Sequence, residues 1–223
     1  MNDTNKDAVR DGVQTPGLTR PVLVSAVLFM LITGLGYPLV TTGIAQVLFP
    51  VQAAGSLVLK DGKTVGSAVI GQNVTRPDLF HPRPSATTGT DPNDPGQSVD
   101  QPYNAASSGA SNLGPTSRKL MDQVAARVGA YRSENGLSAD TPVPVDAVTA
   151  SASGLDPDIS PANAMMQAGR VAGARGVPVE TIVDLIRRQT TDRQFGALGE
   201  PRVNVLGLNL ALESMPVRSS AAK

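Results

Sequence analysis

Cysteine and tryptophan are absent from the 223 residues, and histidine occurs once. The missing thiols exclude disulfides and thiolate metal sites, but they leave the compartment open, because many extracytoplasmic proteins also lack cysteine. Aromatic residues make up 3% of the chain and charged residues 17%, with Lys+Arg 19 against Asp+Glu 19. No basic stripe and no series of aromatics marks it for nucleic acid. The phosphate-cradling pattern G-x-x-x-x-G-K-[ST] and the nucleophile pattern G-x-S-x-G are both missing. What is abundant is Gly 22 and Pro 18. That composition predicts a loop-rich domain with a modest core.

Charge is missing most conspicuously between Arg20 and Lys60, where no residue is ionisable as Asp, Glu, Lys or Arg. Within that gap, residues 22–48 are dense in Leu, Val, Ile, Phe and Met. A bilayer core needs roughly 20 such residues as a helix, so the run spans once with some to spare. A cleaved secretory signal is the rival. The run is too long for one, and the nearest small-residue cleavage site, around Val51 to Ala53, lies too far along. Gly34, Gly36 and Pro38 would weaken a helix in water but are tolerated where neighbouring membrane helices pack, so the Gly34/Gly36 surface predicts contact with another span. Lys6, Arg10 and Arg20 precede the run, whereas Lys60 and Lys63 follow it. This bias predicts a cytoplasmic tail over residues 1–20, an anchor over 21–49 and an extracytoplasmic domain over 50–223.

In that domain, β-prone residues 56–59 and 64–70 flank Lys60-Asp61-Gly62-Lys63 and predict a hairpin. Residues 73–115 are polar and turn-rich, with Asp91-Pro92-Asn93-Asp94-Pro95-Gly96 read as mobile loop. Leu120, Met121, Val124, Val128 and Tyr131 share one face of a predicted helix over 117–135, ended by Gly136. A second helix is predicted from Pro161, capped by Ser160 and ended by Gly176, with a small face of Ala164, Ala168 and Ala172. A third starts near Pro178 and carries Val179, Ile182, Val183 and Ile186. Residues 202–206 read as a short strand, residues 208–212 as a short helix or strand, and the chain after Pro216 as frayed. Strands first and helices later predict an α+β domain, one sheet with helices to one side.

The candidate chemistry is sparse. His81 stands in Phe80-His81-Pro82-Arg83-Pro84-Ser85 without a second histidine or a cysteine for a metal, and no fixed-spacing acid completes a triad with Ser85. The bland reading is a loop clamped by hydrogen bonds and prolines. The rival is an extracytoplasmic, membrane-anchored hydrolase using His81 with Ser85 or Asp78. Asp156 and Asp158 precede a helix start, where acids favour the positive end of the dipole, and that account is preferred to a metal-ligand role. Asp91, Asn93 and Asp94 mimic part of a calcium loop, but the acid required at its twelfth position is missing. Residues 148–161, VTASASGLDPDISP, form a small-residue loop running into a helix N-terminus, a surface another molecule could approach closely.

That run, with Ser111-Asn112-Leu113-Gly114-Pro115-Thr116 before it and Arg202-Val203-Asn204-Val205-Leu206 after it, resembles the C subunit of the Kdp potassium-transporting P-type ATPase complex. The Phe80 to Ala86 segment fits the same pattern, and the resemblance extends over about residues 21–212. It implies a non-catalytic accessory subunit in the cell inner membrane, partnered by an ATP-hydrolysing subunit, a potassium-channel-like subunit and a small membrane subunit. It implies no cofactor of the chain's own. Described for the family is a catalytic chaperone that raises the ATP affinity of the pump subunit, and the matching positions for nucleotide contact are Ser151, Ser153, Gly154, Asp156 and Gln167. The charge bias conflicts with this, because cytoplasmic ATP does not reach a domain outside the membrane. Asp61-Gly62-Lys63-Thr64 is a near miss for the Asp-Lys-Thr-Gly phosphorylation motif of P-type ATPases, and its turn chemistry favours the hairpin instead.

Overall fold

A computed structural model of the chain describes residues 17–215. Most of the predicted N-terminal tail and the end after Pro216 lie outside the described residues. Two compact units divide between Gly55 and Ser56.

The first unit is helical. Helix α1 (Thr19–Leu31) continues through a π-helical turn (Ile32–Gly36) into α2 (Tyr37–Leu48), and a short α3 (Pro50–Ala53) follows. Together Thr19–Leu48 make a helical run of 30 residues, apolar enough to cross a membrane and with none of them buried within the chain. At 1.5 Å per residue that is about 45 Å, enough to cross a hydrocarbon core of roughly 30 Å. The π turn has a local cause. Pro38 lacks an N–H and crowds the carbonyl four residues earlier, and widening the turn moves the Tyr37 N–H onto the Ile32 carbonyl. Thr33 and Thr41 return their hydroxyls to the Phe29 and Tyr37 carbonyls, at 2.6 and 2.9 Å. On a helix this apolar, the hydroxyls are thereby satisfied without water.

The second unit is the α+β domain. It opens with the predicted hairpin: β1 (Leu57–Lys60) pairs antiparallel with β2 (Lys63–Ser67). Asp61 and Gly62 turn it with φ of 52° and 75°, the positive values that match the twist of a two-residue hairpin. Within the long polar segment, β3 (Thr88–Thr90) and β4 (Ser98–Asp100) form a second hairpin. The stretch between them turns on its own side chains, Asp91 accepting from the Asn93 N–H at 2.8 Å and Asp94 from the Gly96 N–H at 3.1 Å. A loop without strands was predicted there; three-residue strands of Thr-Gly-Thr and Ser-Val-Asp, with one apolar residue between them, are too short to show hydrophobic alternation.

Helix α4 (Arg118–Glu134) and a short α5 (Val145–Val148) precede the core elements: β5 (Asp158–Ile159), α6 (Pro161–Arg175), α7 (Val179–Gln189), β6 (Thr190–Thr191), β7 (Arg202–Asn204) and α8 (Val205–Glu213). The last sheet is antiparallel in the order β5-β7-β6. The expectation of one sheet made early in the chain is therefore corrected: three small sheets are spread along it. The strand predicted over 202–206 stops at Asn204, whose side chain accepts from the Gly207 N–H at 3.0 Å and so caps α8.

The core lies where α6, α7, α8 and β7 meet. Ala164, Ala168 and Ala172 of α6 are buried, as are Ile182, Leu185 and Ile186 of α7, with Val203, Leu208 and Leu212 closing the cluster. The small face of α6 is thus used inside the domain rather than offered to a partner. Its ends match expectation. The Ser160 hydroxyl accepts from the Asn163 N–H at 3.1 Å, and Gly176 stops the helix in the left-handed conformation. Helix α4 fits less well: only Tyr131 of its predicted face is buried, and Met121 is 61% exposed.

Candidate functional site

The segment from Phe80 to Ser85 runs across the domain and is held by side chains rather than by strands. Prolines 82 and 84 cannot donate to a ladder, so buried amides do the pairing. Asn209 of α8 accepts from the Phe80 N–H at 2.8 Å and donates to the Phe80 carbonyl at 3.0 Å. Gln167 of α6 does the same for the next residue, accepting from the His81 N–H at 2.7 Å and donating to its carbonyl at 3.0 Å. Gln167 also donates to Asn163 Oδ1 and accepts from Arg170, at 2.9 and 2.8 Å. It is 1% exposed, and its amide is fully engaged inside the chain.

Around this clamp lies a polar network. Tyr131 donates to Asn163 Oδ1 at 2.8 Å, and burial pushes its hydroxyl pKa up from the ordinary value. Arg170 reaches the Pro77 and Leu79 carbonyls, and Arg175 the Asp78 carbonyl. Asp146 of α5 accepts from the Ser160 N–H and hydroxyl at 2.7 and 2.8 Å and from the Asn163 amide at 3.0 Å. The acid serving the α6 N-terminus is therefore Asp146. Asp156 instead pairs with Arg83 at 2.6 Å, and Asp158 with Arg202 at 3.1 Å. Burial raises the Asp158 carboxyl above its usual pKa. The capping role expected of Asp156 and Asp158 is corrected accordingly.

The serine loop is closed by its own chain. Ser151 Oγ accepts from the Gly154 N–H at 2.9 Å, and Ser153 Oγ from the Leu155 N–H at 3.1 Å. The Ser153 carbonyl receives the Gly109 N–H at 2.9 Å, and the Gly154 carbonyl receives the Ser85 hydroxyl at 2.8 Å. Gly154 is buried with φ +68°; a Cβ there would lie 2.5 Å from Thr87 Cγ2 and 2.7 Å from the Gly109 carbonyl oxygen. The close approach that its small size permits is made by residues 87 and 109 of the same molecule.

Two of the domain's depressions bring these residues together. One, of about 360 Å³, is lined by His81, Arg83, Tyr103, Arg127, Tyr131, Glu134 and Gln167, among others. The other, of about 600 Å³, is lined by Ser151, Ser153, Asp156 and Arg83 with apolar neighbours. The five positions that the resemblance singles out are thus divided. Ser151, Ser153 and Asp156 share one depression, Gln167 belongs to the other, and Gly154 supports the loop from below. Arg83 reaches both.

His81 does not meet a nucleophile. Its Nδ1 faces Glu134 Oε1 at 2.7 Å and its Nε2 the Arg76 carbonyl at 2.9 Å. Ser85 is bonded to Thr87, Gly154 and Tyr103, and Asp78 to Arg76 and Arg175. None of these contacts couples a base to a hydroxyl for attack.

Sequence reasoning missed Asn163, Asn209, Arg170, Asp146 and Tyr103. The available signal was polar residues set into apolar faces: Asn163 and Gln167 lie one turn apart beside Ala164 and Ala168, and Asn209 interrupts a run of leucines.

Comparison with known proteins gives the family. The chain matches KdpC, the K+-transporting ATPase c chain, over residues 19–214. It belongs to the KdpC family. A potassium-transporting ATPase KdpC subunit from Methylobacterium nodulans is 57% identical over 196 residues, covering 88% of this chain and 96% of that protein. Proteins of the same name from Rhodopseudomonas palustris and Bradyrhizobium diazoefficiens are 56% and 55% identical, over 87% of this chain in each case and 96% and 95% of theirs. The KdpC match covers the apolar helix, the amide clamp and the serine loop alike.

Proposed function

We propose that this chain is the accessory, non-catalytic subunit of an ATP-driven potassium import complex, working with ATP-hydrolysing, potassium-channel-like and small membrane subunits. It is anchored in the cell inner membrane by residues 21–49, with residues 1–20 cytoplasmic and residues 50–223 outside. The carrying observation is the pairing of one apolar helix, Thr19–Leu48, with a domain whose serine, histidine and amide groups are bonded to its own chain. Such a domain presents a shaped surface rather than a reacting centre.

The family's effect on ATP affinity is part of this reading and acts through subunit contacts. Ser151, Ser153, Gly154, Asp156 and Gln167 then keep the contact face in shape, and ATP stays with the hydrolysing subunit. The division of these residues between two depressions supports that assignment.

The test is purification of the tagged chain from native membranes in mild detergent. The expected result is recovery of a potassium-stimulated ATPase containing the chain, whose KM for ATP rises when the chain is omitted. The purified chain alone hydrolyses neither ATP nor esters. Ester or phosphoester turnover by the chain alone, abolished by His81→Ala, would establish the hydrolase instead.

A further inference from the structure

The π-helical turn in the apolar helix leaves a deficit of hydrogen-bond donors. The Tyr37 N–H, which a regular helix would give to Thr33, goes to the Ile32 carbonyl. The next donor along would belong to Pro38, which has no N–H. The Thr33 carbonyl therefore loses both the donor four residues on and the donor five residues on. Gly36 is the N-cap of α2, so its carbonyl takes the Val40 N–H. Only the Leu39 N–H remains for the carbonyls of Gly34 and Leu35. Two of these three oxygens, Thr33's among them, are left without a main-chain partner.

Side chains of the helix do not make up the loss. The Thr33 hydroxyl goes to the Phe29 carbonyl at 2.6 Å, and that of Ser25 to Val22 at 3.0 Å. The Thr41 hydroxyl goes to Tyr37 and Pro38, at 2.9 and 3.1 Å. Location makes the deficit costly. Thr33 and Gly34 are the midpoint of Thr19–Leu48, about 22 Å from either end at 1.5 Å per residue. In a hydrocarbon core of roughly 30 Å they lie near the centre, whichever end is cytoplasmic. Lipid tails have no donor and water is absent there, so a bare carbonyl is strongly unfavourable. The approach is open: a Cβ at Gly34 would meet nothing within 4 Å.

We propose that the Thr33 carbonyl accepts a hydrogen bond from an uncharged donor side chain, a hydroxyl or carboxamide, on a membrane helix of another subunit of the complex. The fit is electrostatic. A carbonyl oxygen carries partial negative charge and is matched by a donor hydrogen. Residues 21–59 contain no acid, so a cationic donor would enter the hydrocarbon uncompensated, and an uncharged one is selected. A parallel second copy of this chain brings Thr33 to the same depth, but that hydroxyl is already spent within its own helix. The proposal rests on the accessory-subunit reading and goes beyond it by naming the acceptor and the chemistry of its donor.

The test uses the full chain, perdeuterated and carrying 13C at its threonine carbonyls, in proteoliposomes, alone and within the complex. In solid-state NMR the Thr33 signal is the one that disappears in Thr33→Ser, which keeps the hydroxyl. In the complex it is expected at a hydrogen-bonded shift, with polarisation arriving from carbon-bound protons of a protonated partner subunit. In the chain alone it is expected at an unbonded shift. A bonded shift in the chain alone, a bonded shift in the complex polarised only from water, or an unbonded shift in both would each overturn the proposal. In parallel, Pro38→Ala supplies the missing N–H and lets Tyr37 return to Thr33. That variant alone in detergent is expected to melt no lower than the parent. It is expected to leave the solubilised complex about three to ten times faster, the scale of one interhelical hydrogen bond in a membrane. Equal release of Pro38→Ala and the parent from an intact complex defeats the acceptor while leaving the subunit reading standing. Failure of the parent chain to copurify defeats the subunit reading itself.

Discussion

At the scale of single residues, Gly154 and Gln167 are where the domain is least forgiving, for different reasons. Any side chain at 154 meets the Gly109 carbonyl, which is backbone and yields little, and also adopts a left-handed conformation that costs about 1–2 kcal/mol by itself. Gly154→Val is therefore expected to destabilise the full chain by about 2–5 kcal/mol, that backbone penalty added to about 1–3 kcal/mol of overpacking. Gln167→Ala deletes a bidentate partner and leaves the His81 N–H and carbonyl unpaired in the interior; each such group costs about 1–3 kcal/mol. Chemical denaturation of both variants in detergent measures these losses. Both are also expected to lower potassium-stimulated ATPase activity of the complex in proportion to lost fold. A Gln167→Ala chain of parental stability that nonetheless raises the KM for ATP would show direct contact with nucleotide. Little of this was readable from residue types. Ser160 announced its role because a cap acts on the adjacent helix turn. Gln167 acts on a backbone 86 positions away, and no local pattern encodes such a partner.

Elements were legible where one physical cause acts over several residues. Helix α6 was bounded correctly because its cap, its first-turn proline and its terminal glycine each act locally. The β1–β2 hairpin followed from a two-residue turn in the same way. Helix α4 shows the limit. A face of Leu120, Val124, Val128 and Tyr131 was legible, but which apolar residues are covered depends on elements that arrive later in the chain, and Met121 stays 61% exposed. For α6 the dependence can be tested directly. Ala168 is 1% exposed among α7 residues Ile182, Leu185 and Ile186. Small residues let two helices approach closely, and a longer side chain forces them apart. Ala168→Leu is expected to cost about 1–3 kcal/mol, whereas Gly169→Ala, which points into open space on the exposed side, is expected to be neutral or stabilising by up to about 1 kcal/mol. Thermal unfolding of the two variants in the same detergent separates an internal packing role for the alanine face from a role in partner binding. If Ala168→Leu melts with the parent but fails to enter the complex, the face serves a partner.

For the whole molecule, the sequence was most legible where solvent changes. Thirty-nine consecutive uncharged residues between Arg20 and Lys60 mark a segment suited to hydrocarbon. The architecture beyond it was less legible, since strands of two to five residues have no room for a period. Orientation is the remaining whole-chain property, and it decides what the domain can touch. The balance of Lys6, Arg10 and Arg20 against Lys60 and Lys63 favours retaining the N-terminal side in the cytoplasm. Protease added to spheroplasts is then expected to cut exposed bonds such as those around Lys63, at the exposed turn between β1 and β2. The same bonds are expected to be protected in sealed inside-out vesicles until detergent opens them. The opposite pattern would place the domain beside cytoplasmic ATP. Ser151, Ser153 and Asp156 could then face nucleotide from their shared depression, and the effect on ATP affinity would need no relay through the membrane. With the domain outside, that effect has to cross the bilayer as a change in subunit packing. Substitutions at Gly34 and Gly36, on the exposed surface of the apolar helix, would then alter the KM for ATP without touching any residue of the domain.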